Sequence, residues 1–274
     1  MHVVVIGAGA AGMMAAYAAA SHHASVVLLE KNNKTGVKIL MSGGTRCNLT
    51  HNTDARGIAD AFGHAKRFLQ PSLGAFPPKA VVEFFESTGV ATKVESTGKV
   101  FPVSNRAVQV RDALHRFAVE AGVEIRTGAG VTGIRPEGQK WLVETEQSAI
   151  TTDRVIVTTG GKSWPGCGTT GDAYAWMTEL GHAIERTRPA LVPLLGGEQW
   201  MKDLSGLVVD DSIVTVLPAS GKQKSLVQRR GSLLFTHFGF SGPAAMDVSG
   251  AITAAASFDQ VQMVADLVPQ CSEE

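Results

Sequence analysis

Residues 3–30 read VVVIGAGAAGMMAAYAAASHHASVVLLE, and their pattern predicts the fold class. It begins with a β-branched run, Val3 to Ile6, which is typical of a buried parallel strand. A glycine-rich turn follows, then an alanine-rich segment of high helix propensity from about Ala11 to Ala20, and a second apolar strand from Val26 to Leu29. A strand, a tight turn, a helix and a strand at this spacing predict a βαβ unit.

The turn GAGAAG carries its glycines in the order G-x-G-x-x-G, at Gly7, Gly9 and Gly12. In a dinucleotide site, Gly7 allows the tight turn, Gly9 lets the backbone approach a pyrophosphate, and Gly12 lets the helix pack closely on the strand. Glu30 ends the second strand about 20 residues further on, where a carboxylate accepts hydrogen bonds from an adenosine ribose. The pattern favours a dinucleotide site over a simple packing turn, and both NAD and FAD satisfy it.

The chain after Glu30 separates the two cofactors. An NAD domain continues with further βαβ units, whereas here a long, glycine-punctuated segment follows at residues 31–52. Such a segment predicts a functional loop. We expect a ligand that extends past the pyrophosphate along residues 43–44, and FAD has the length to do so. A later strand opens onto residues 159–161, where glycines again allow backbone to approach a cofactor without interference from a Cβ atom.

The remaining elements complete an α/β domain. Two helices are predicted, one from about Pro77 to Gly89 and one from Ser104 to Gly122. A strand over Val123 to Arg126 is followed by short runs at 131–135, 141–144 and 154–158, which predict an antiparallel meander that returns to the sheet. A third helix is predicted to start after Asp172, which would cap it, and to end at Gly181.

The character of the sequence changes near residue 190. Segments such as LVVDDSIVTVLP, residues 207–218, are rich in β-formers. We therefore predict a first domain over 1–190 and a second, mostly β domain over 191–274. Ser272, followed by two acidic residues, has the pattern of a helix N-cap. We expect the chain to end within the second domain, as a fragment would.

Composition narrows the class of partner. Lys and Arg total 25, as do Asp and Glu, so no basic field favours nucleic acid or an anionic membrane, and a small-molecule partner is expected. The apolar N-terminus lacks a basic region and is interrupted too early to span a membrane. The cysteines, Cys47, Cys167 and Cys271, are few, scattered and odd in number, which predicts a reducing compartment, the cytoplasm.

Successive motifs resemble one family. The stretches that carry the resemblance are VVIGAGAAGMMAA, KILMSGGTRCNLTH, FPVSNRA, TTGGKSWPGCGTTGDAYAWMTELGH and LLFTHFGFSGPA. They are similar, in order and through nearly the whole chain, to the motifs of the bacterial BaiN-type, aminoacetone-oxidase-like family of FAD-dependent oxidoreductases. The resemblance implies a Rossmann-like FAD-binding domain of the glutathione-reductase type with a β-meander, plus part of an inserted, mostly β domain, in a C-terminally truncated chain.

The fingerprint, the glycine loops and the resemblance together predict the cofactor-binding residues. These are Gly7, Gly9, Ala10, Ala11, Gly12, Glu30, Lys31, Lys38, Ser42, Gly43, Gly44, Arg46, Cys47, Asn48, Val131, Thr159, Gly160 and Gly161. Arg46 and Asn48 are expected to supply polar contacts.

Cys47 has more than one interpretation. The disulfide-reductase relatives carry a second cysteine at the position of Asn52, so the pair that relays electrons is absent. A lone thiol beside Arg46 would be a nucleophile if the nearby charge lowered its pKa. The interpretation that we favour is a small buried side chain packing under the flavin.

The resemblance implies an FAD-dependent oxidoreductase that transfers hydride between flavin and a small organic substrate. The substrate class stays open between an activated carbon–carbon double bond and a small amine, with NAD(P)H as a transient reductant or oxygen as acceptor. The alternatives are an NAD-dependent dehydrogenase and an inactive, truncated flavoprotein fragment. No catalytic residue and no metal site are predicted; His51 and His237 are the histidines considered as acid or base.

Overall fold

The computed structural model describes residues 1–220 and 224–271. The chain divides into two compact units, Met1–Ile184 and Glu185–Glu274, and each is described by itself. The boundary predicted at residue 190 lies within the second unit. The predicted N-cap at Ser272 lies outside the described residues.

The first unit contains a parallel sheet, two small antiparallel sheets and helices. Its strands are β1 (His2–Ile6), β2 (Ser25–Glu30), β3 (Thr50–His51), β4 (Thr92–Val94), β5 (Lys99–Pro102), β6 (Glu124–Thr127), β7 (Val131–Glu137), β8 (Lys140–Thr145), β9 (Ala149–Thr152) and β10 (Arg154–Val157). Its α-helices are α1 (Ala10–Ser21), α2 (Val37–Met41), α3 (Ala55–Ala61), α4 (Lys66–Ala75), α5 (Pro78–Ser87), α6 (Ala107–Glu120) and α7 (Ala173–Glu179). Short 3₁₀ turns occur at Gly63–Ala65 and Pro165–Cys167.

The parallel sheet has the strand order β10-β1-β2-β6. In β1, Val3 and Val5 belong to a buried cluster that includes α1 and α6, whereas Val4 and Ile6 belong to a second cluster with β7, β8 and α7. Because both faces of the strand are covered, a continuous apolar run is required here. The predicted βαβ unit is confirmed: β1 and β2 pair in parallel, and α1 connects them.

The meander differs from the prediction in its last strand. It consists of β7, β8 and β9 in antiparallel pairing, with Ile134 opposite Val143 and Val143 opposite Ile150. The run at 154–158, predicted to be part of the meander, instead forms β10 and pairs in parallel with β1. The β-branched RVIV run is suited to that half-buried position. The third strand of the meander is instead β9, a four-residue AITT segment that was not predicted.

Helices α1, α5, α6 and α7 of this unit agree with the sequence, whereas α2, α3 and α4 were not predicted. Helices α5 and α6 confirm the predictions for 77–89 and 104–122. In the long segment 31–52, predicted as a loop, the structure contains the short elements α2 and β3. Helices α3 and α4 were not predicted, and α4 contains Pro71 and has no buried residue, so neither propensity nor an apolar core stripe indicates it.

The second unit is mainly an antiparallel sheet. Its elements are β11 (Leu194–Leu195), α8 (Gln199–Asp203), β12 (Val208–Pro218), β13 (Val227–Thr236), β14 (Gly239–Ser241), α9 (Gly242–Ala254), a 3₁₀ turn (Phe258–Gln260) and β15 (Val261–Asp266). The strand order is β11-β14-β13-β12-β15. Helix α9 packs on the sheet through Ala244, Ala245 and Val248, against residues such as Val214 and Leu233. Within the described parts of both units, no helix has the length and hydropathy needed to cross a bilayer.

Candidate functional site

A cavity of about 370 Å³ lies in the first unit, at the carboxyl ends of β1, β2 and β10. In open parallel sheets, ligands bind outside the carboxyl ends of the strands. The predicted site residues that line it are Gly7, Gly9, Ala10, Ala11, Glu30, Lys31, Lys38, Ser42, Cys47, Asn48, Val131, Thr159 and Gly160. Of the other predicted residues, Gly12, Gly43, Gly44, Arg46 and Gly161 are not part of its wall.

The first glycine turn has the geometry that the fingerprint predicts. Gly7 has φ +97°, and its amide donates to Leu29 O at 2.7 Å. A Cβ atom on Gly12 would lie 1.8 Å from Gly7 O, so α1 packs directly on the turn. A Cβ atom on Gly9 would have no atom of the described residues within 4 Å, apart from its neighbours in the chain. Gly9 therefore faces open space at the start of α1, where no side chain caps the helix.

Glu30 presents a fixed carboxylate to this cavity. Its Oε2 accepts from Ala8 N at 2.8 Å, and its Oε1 accepts from the backbone N and the side-chain Nδ2 of Asn32 at 2.9 and 2.7 Å. Only 7% of Glu30 is exposed. A carboxylate has about four acceptor sites, so capacity remains for a ligand hydroxyl.

A second glycine loop, residues 158–172, forms another part of the cavity wall. Two side chains from segment 31–38 hold its backbone: Asn32 Nδ2 donates to Cys167 O at 3.2 Å, and Lys38 Nζ donates to Ser163 O at 2.8 Å. Asn32, like Cys167, lines the cavity but was not among the predicted site residues. Its position two residues after Glu30 is the only sequence signal that would have pointed to it.

Asp172 connects the same loop to Lys31. Lys31 Nζ donates to Asp172 Oδ2 at 2.7 Å and to Thr170 Oγ1 at 2.9 Å. Burial raises the pKa of Asp172, but hydrogen bonds from Lys31 and Thr170 outweigh it and leave the pKa below its usual range. The predicted helix start after Asp172 is confirmed by α7, but the Asp172 side chain makes no capping bond and its φ and ψ angles are helical, −53° and −43°. Its carboxylate is engaged by Lys31 instead.

Arg46 and Gly43 contact protein rather than the cavity. The guanidinium of Arg46 donates to both carboxylate oxygens of Glu95 at 2.6 and 3.3 Å and stacks over Phe101, with Cζ 4.0 Å from the ring centroid. A Cβ atom on Gly43 would lie 2.9 Å from Asn48 N and 2.9 Å from Phe101 Cε1. The glycine at 43 is therefore required by packing within the protein.

Asn48 does line the cavity, and its side chain is fixed by the adjacent strands. In the orientation that satisfies its hydrogen bonds, the side-chain nitrogen donates to Thr50 O at 2.8 Å and to Val100 O at 3.1 Å. The expected polar contact with a ligand is left to the side-chain oxygen of Asn48. The two candidate histidines do not line the cavity: His51 contacts Thr97 O, and His237 belongs to the second unit.

Cys47 is a buried wall residue with a protonated thiol. Only 7% of it is exposed. Burial raises the pKa of the thiol, and a hydrogen bond with Ser42 offsets this in part. Arg46 is paired with Glu95 and does not lower the pKa of the Cys47 thiol. These features support the packing interpretation over the nucleophile.

We expect Cys47 to resist alkylation in the folded protein at neutral pH, because the thiolate is the reactive form and burial disfavours it. Cys271, which is exposed, is the internal control. Iodoacetamide labelling followed by peptide mass spectrometry should modify Cys271 first and Cys47 only after unfolding. Labelling of Cys47 as fast as Cys271 would contradict this assignment. Folding raises the pKa of the Cys47 thiol. The contribution of this thiol to folding stability is therefore fully present below the unfolded-state pKa and is lost as pH rises through the folded-state pKa.

The chain matches the family described as HI0933-like protein Rossmann domain over residues 1–269. It is 31% identical over 250 residues to the 3-dehydro-bile acid delta(4,6)-reductase of Clostridium scindens, covering 90% of this chain and 59% of that protein. It is 29% identical over 248 residues to the ribosomal RNA dihydrouridine synthase of Escherichia coli, covering 90% of this chain and 60% of that protein. The chain therefore spans about three fifths of the length of these relatives. The predicted resemblance to the BaiN-type family is confirmed, and the protein belongs to the HI0933-like Rossmann-domain family.

Proposed function

We propose that this chain is the FAD-binding part of an oxidoreductase that transfers hydride between flavin and a small organic substrate. The observation that carries the proposal is the open space at Gly9, between the uncapped start of α1 and the fixed carboxylate of Glu30. A pyrophosphate needs close backbone approach and free amide groups, and an adenosine ribose needs a carboxylate acceptor. The residues present thus fit the dinucleotide half of FAD.

Different groups of the protein would hold the diphosphate and the ribose of the cofactor. The amides at the start of α1, at Ala10 and Ala11, would stabilise the diphosphate charge together with the helix dipole. Glu30 would accept from ribose hydroxyls. Bound FAD supplies the hydride chemistry, and the protein supplies binding, orientation and electrostatics. Cys47, neutral and buried, excludes water from the wall without adding charge.

A reductive reaction is the direction that we favour. The names of the two relatives, a delta(4,6)-reductase and a dihydrouridine synthase, both describe addition of hydrogen across a carbon–carbon double bond. We therefore propose an activated double bond, one conjugated to a carbonyl group, as the hydride acceptor and NAD(P)H as the transient reductant. The balanced charge of the chain favours a small substrate over RNA.

The first test is a titration of the purified chain with FAD. We expect saturable binding seen as a change in flavin fluorescence, and visible flavin absorption that elutes with the protein. The NAD-dependent dehydrogenase is the alternative outcome: a colourless protein that does not bind FAD but binds and reduces NAD would overturn the proposal.

A second test separates the substrate classes. Under anaerobic conditions NAD(P)H should bleach the flavin absorption of the complex, and a steroid enone should restore it. Restoration of colour by oxygen alone, together with bleaching by a small amine, would favour amine oxidation instead.

A further inference from the structure

We propose that Asn32 is a positioning residue for Glu30, so that FAD affinity depends on the Asn32 side-chain amide. The inference rests on the proposed function, because it concerns the adenosine end of the same site. Asn32 is two residues beyond the carboxylate that it would orient, and it lines the same cavity.

The carboxylate of Glu30 is held by hydrogen bonds to both of its oxygens. Asn32 donates twice to one oxygen of Glu30, from its backbone N at 2.9 Å and from its side-chain Nδ2 at 2.7 Å. The other oxygen accepts from Ala8 N at 2.8 Å. Both oxygens are therefore held by donors from the protein, and the plane of the carboxylate is fixed before any ligand arrives. Such preorganisation lowers the entropy that binding must offset.

Two hydrogen bonds fix the orientation of the Asn32 side-chain amide. Nδ2 of Asn32 also donates to Cys167 O at 3.2 Å. Both partners, a carboxylate and a carbonyl, only accept hydrogen bonds, so the nitrogen and not the oxygen must face them. Both hydrogens of the NH₂ group are used, one on Glu30 and one on the second glycine loop. One side chain thus connects the carboxylate of Glu30 to the second glycine loop.

Asn32 is itself held in place by the residues around it. Its backbone O accepts from Gly128 N at 3.1 Å, which ties it to the turn after β6. A Cβ atom on Gly168 would lie 2.8 Å from Nδ2, so the glycine there leaves room for the amide. Asn32 is therefore confined on both sides, and a change in its side chain acts on Glu30 rather than being absorbed by movement.

A pH test of Asn32 must also consider the other charged and titratable groups that line the cavity. Besides Glu30 they are Lys31, Lys38, Cys47, Cys167 and Asp172. Lys31 is paired with Asp172, and Lys38 donates to Ser163. The only donors to the Glu30 carboxylate among the described residues are Ala8 and Asn32. A new charge at position 32 would therefore act on Glu30 at short range.

The experiment compares the FAD affinity of Asn32→Asp, Asn32→Ala and wild type between about pH 5 and about pH 8. When two adjacent carboxyl groups share one proton, the pKa at which that proton is lost lies well above the ordinary range of a carboxyl group, so the loss falls within this interval. At the higher pH the introduced carboxylate repels Glu30, and we expect Asn32→Asp to bind FAD about tenfold to a hundredfold more weakly than wild type. At the lower pH a shared proton restores an O–H donor, and affinity should recover towards wild type. Asn32→Ala should be about tenfold weaker at every pH, since the donor is lost.

The matched control is Asn33→Asp, the same substitution one residue further on, at an exposed side chain that does not line the cavity. It should bind FAD as wild type does throughout the pH range. Thermal unfolding of each ligand-free variant separates loss of folding from loss of affinity.

Each outcome decides the inference. Recovery of affinity at low pH in Asn32→Asp alone supports it, because a merely structural residue would not give a pH-dependent affinity. Equal affinity of wild type and Asn32→Asp at high pH overturns it, as does loss in Asn32→Asp that matches Asn32→Ala at every pH. Failure of wild type to bind FAD overturns the proposed function and this inference with it.

Discussion

Gly9→Val is expected to weaken FAD binding by at least about 100-fold, about 2.8 kcal/mol, while leaving the fold intact. Among the described residues, only the chain neighbours of Gly9 would lie within 4 Å of a Cβ atom at this position, and the backbone is extended, with φ −75° and ψ −172°, so valine fits without strain. The added side chain would occupy the space through which a pyrophosphate reaches the free amides of α1. The effect should therefore fall on the ligand and not on the protein.

The measurement is an FAD titration of folded variant and wild type, with thermal unfolding of both in the absence of ligand. Gly74→Val is the matched control, because a Cβ atom on Gly74 would also have no neighbour within 4 Å and Gly74 does not line the cavity. We expect Gly74→Val to retain wild-type affinity. Retention of FAD by Gly9→Val at wild-type affinity would contradict the assignment of the fingerprint to the pyrophosphate.

The local part of this site could be predicted from the sequence. The positions of Gly7, Gly9 and Gly12 follow from one turn between two strands, and each physical role depends on neighbours within the same βαβ unit. The end of β2 fixes the place of Glu30 in the same way. Because these constraints act between neighbours in the chain, they allow one arrangement of the backbone. The spacing of the residues is therefore enough to predict that arrangement.

The contacts that depend on distant segments could not be predicted. Arg46 pairs with Glu95, which is 49 residues away, and Lys31 pairs with Asp172, which is 141 residues away. In each case a charged residue beside a glycine turn was interpreted from its neighbours in the chain, whereas its partner is set by tertiary packing. Arg46 therefore lies outside the cavity wall, and the side chain of Asp172 pairs with Lys31 rather than capping α7. The same reason explains why Asn32 was missed: its second acceptor, Cys167 O, lies on a loop 135 residues away.

Gly12→Ala should lower the stability of the first unit by about 2 kcal/mol or more, although alanine is the better helix former. In an open helix, replacing glycine by alanine gains about 1 kcal/mol. At Gly12 the new Cβ atom would lie 1.8 Å from Gly7 O and 2.7 Å from Thr158 Oγ1. Gly7 O is a backbone atom in a tight turn and cannot rotate away, so α1 must shift from the sheet. Overpacking of this kind costs about 1–3 kcal/mol and occasionally more, and a backbone contact this short belongs at the upper end.

Gly74→Ala is the same chemical change, but we expect it to maintain or raise stability rather than lower it. Gly74 lies inside α4, and a Cβ atom there has no neighbour within 4 Å, so only the helix-propensity gain of up to about 1 kcal/mol applies. Denaturant unfolding of the two variants and wild type should therefore place Gly12→Ala below wild type and Gly74→Ala at or above it. A Gly12→Ala protein as stable as wild type would show that α1 does not pack on the glycine turn as closely as the 1.8 Å separation requires. Because α1 carries the amides at the proposed pyrophosphate position, the same shift should also weaken FAD binding, so the packing of this one glycine would affect both stability and cofactor affinity.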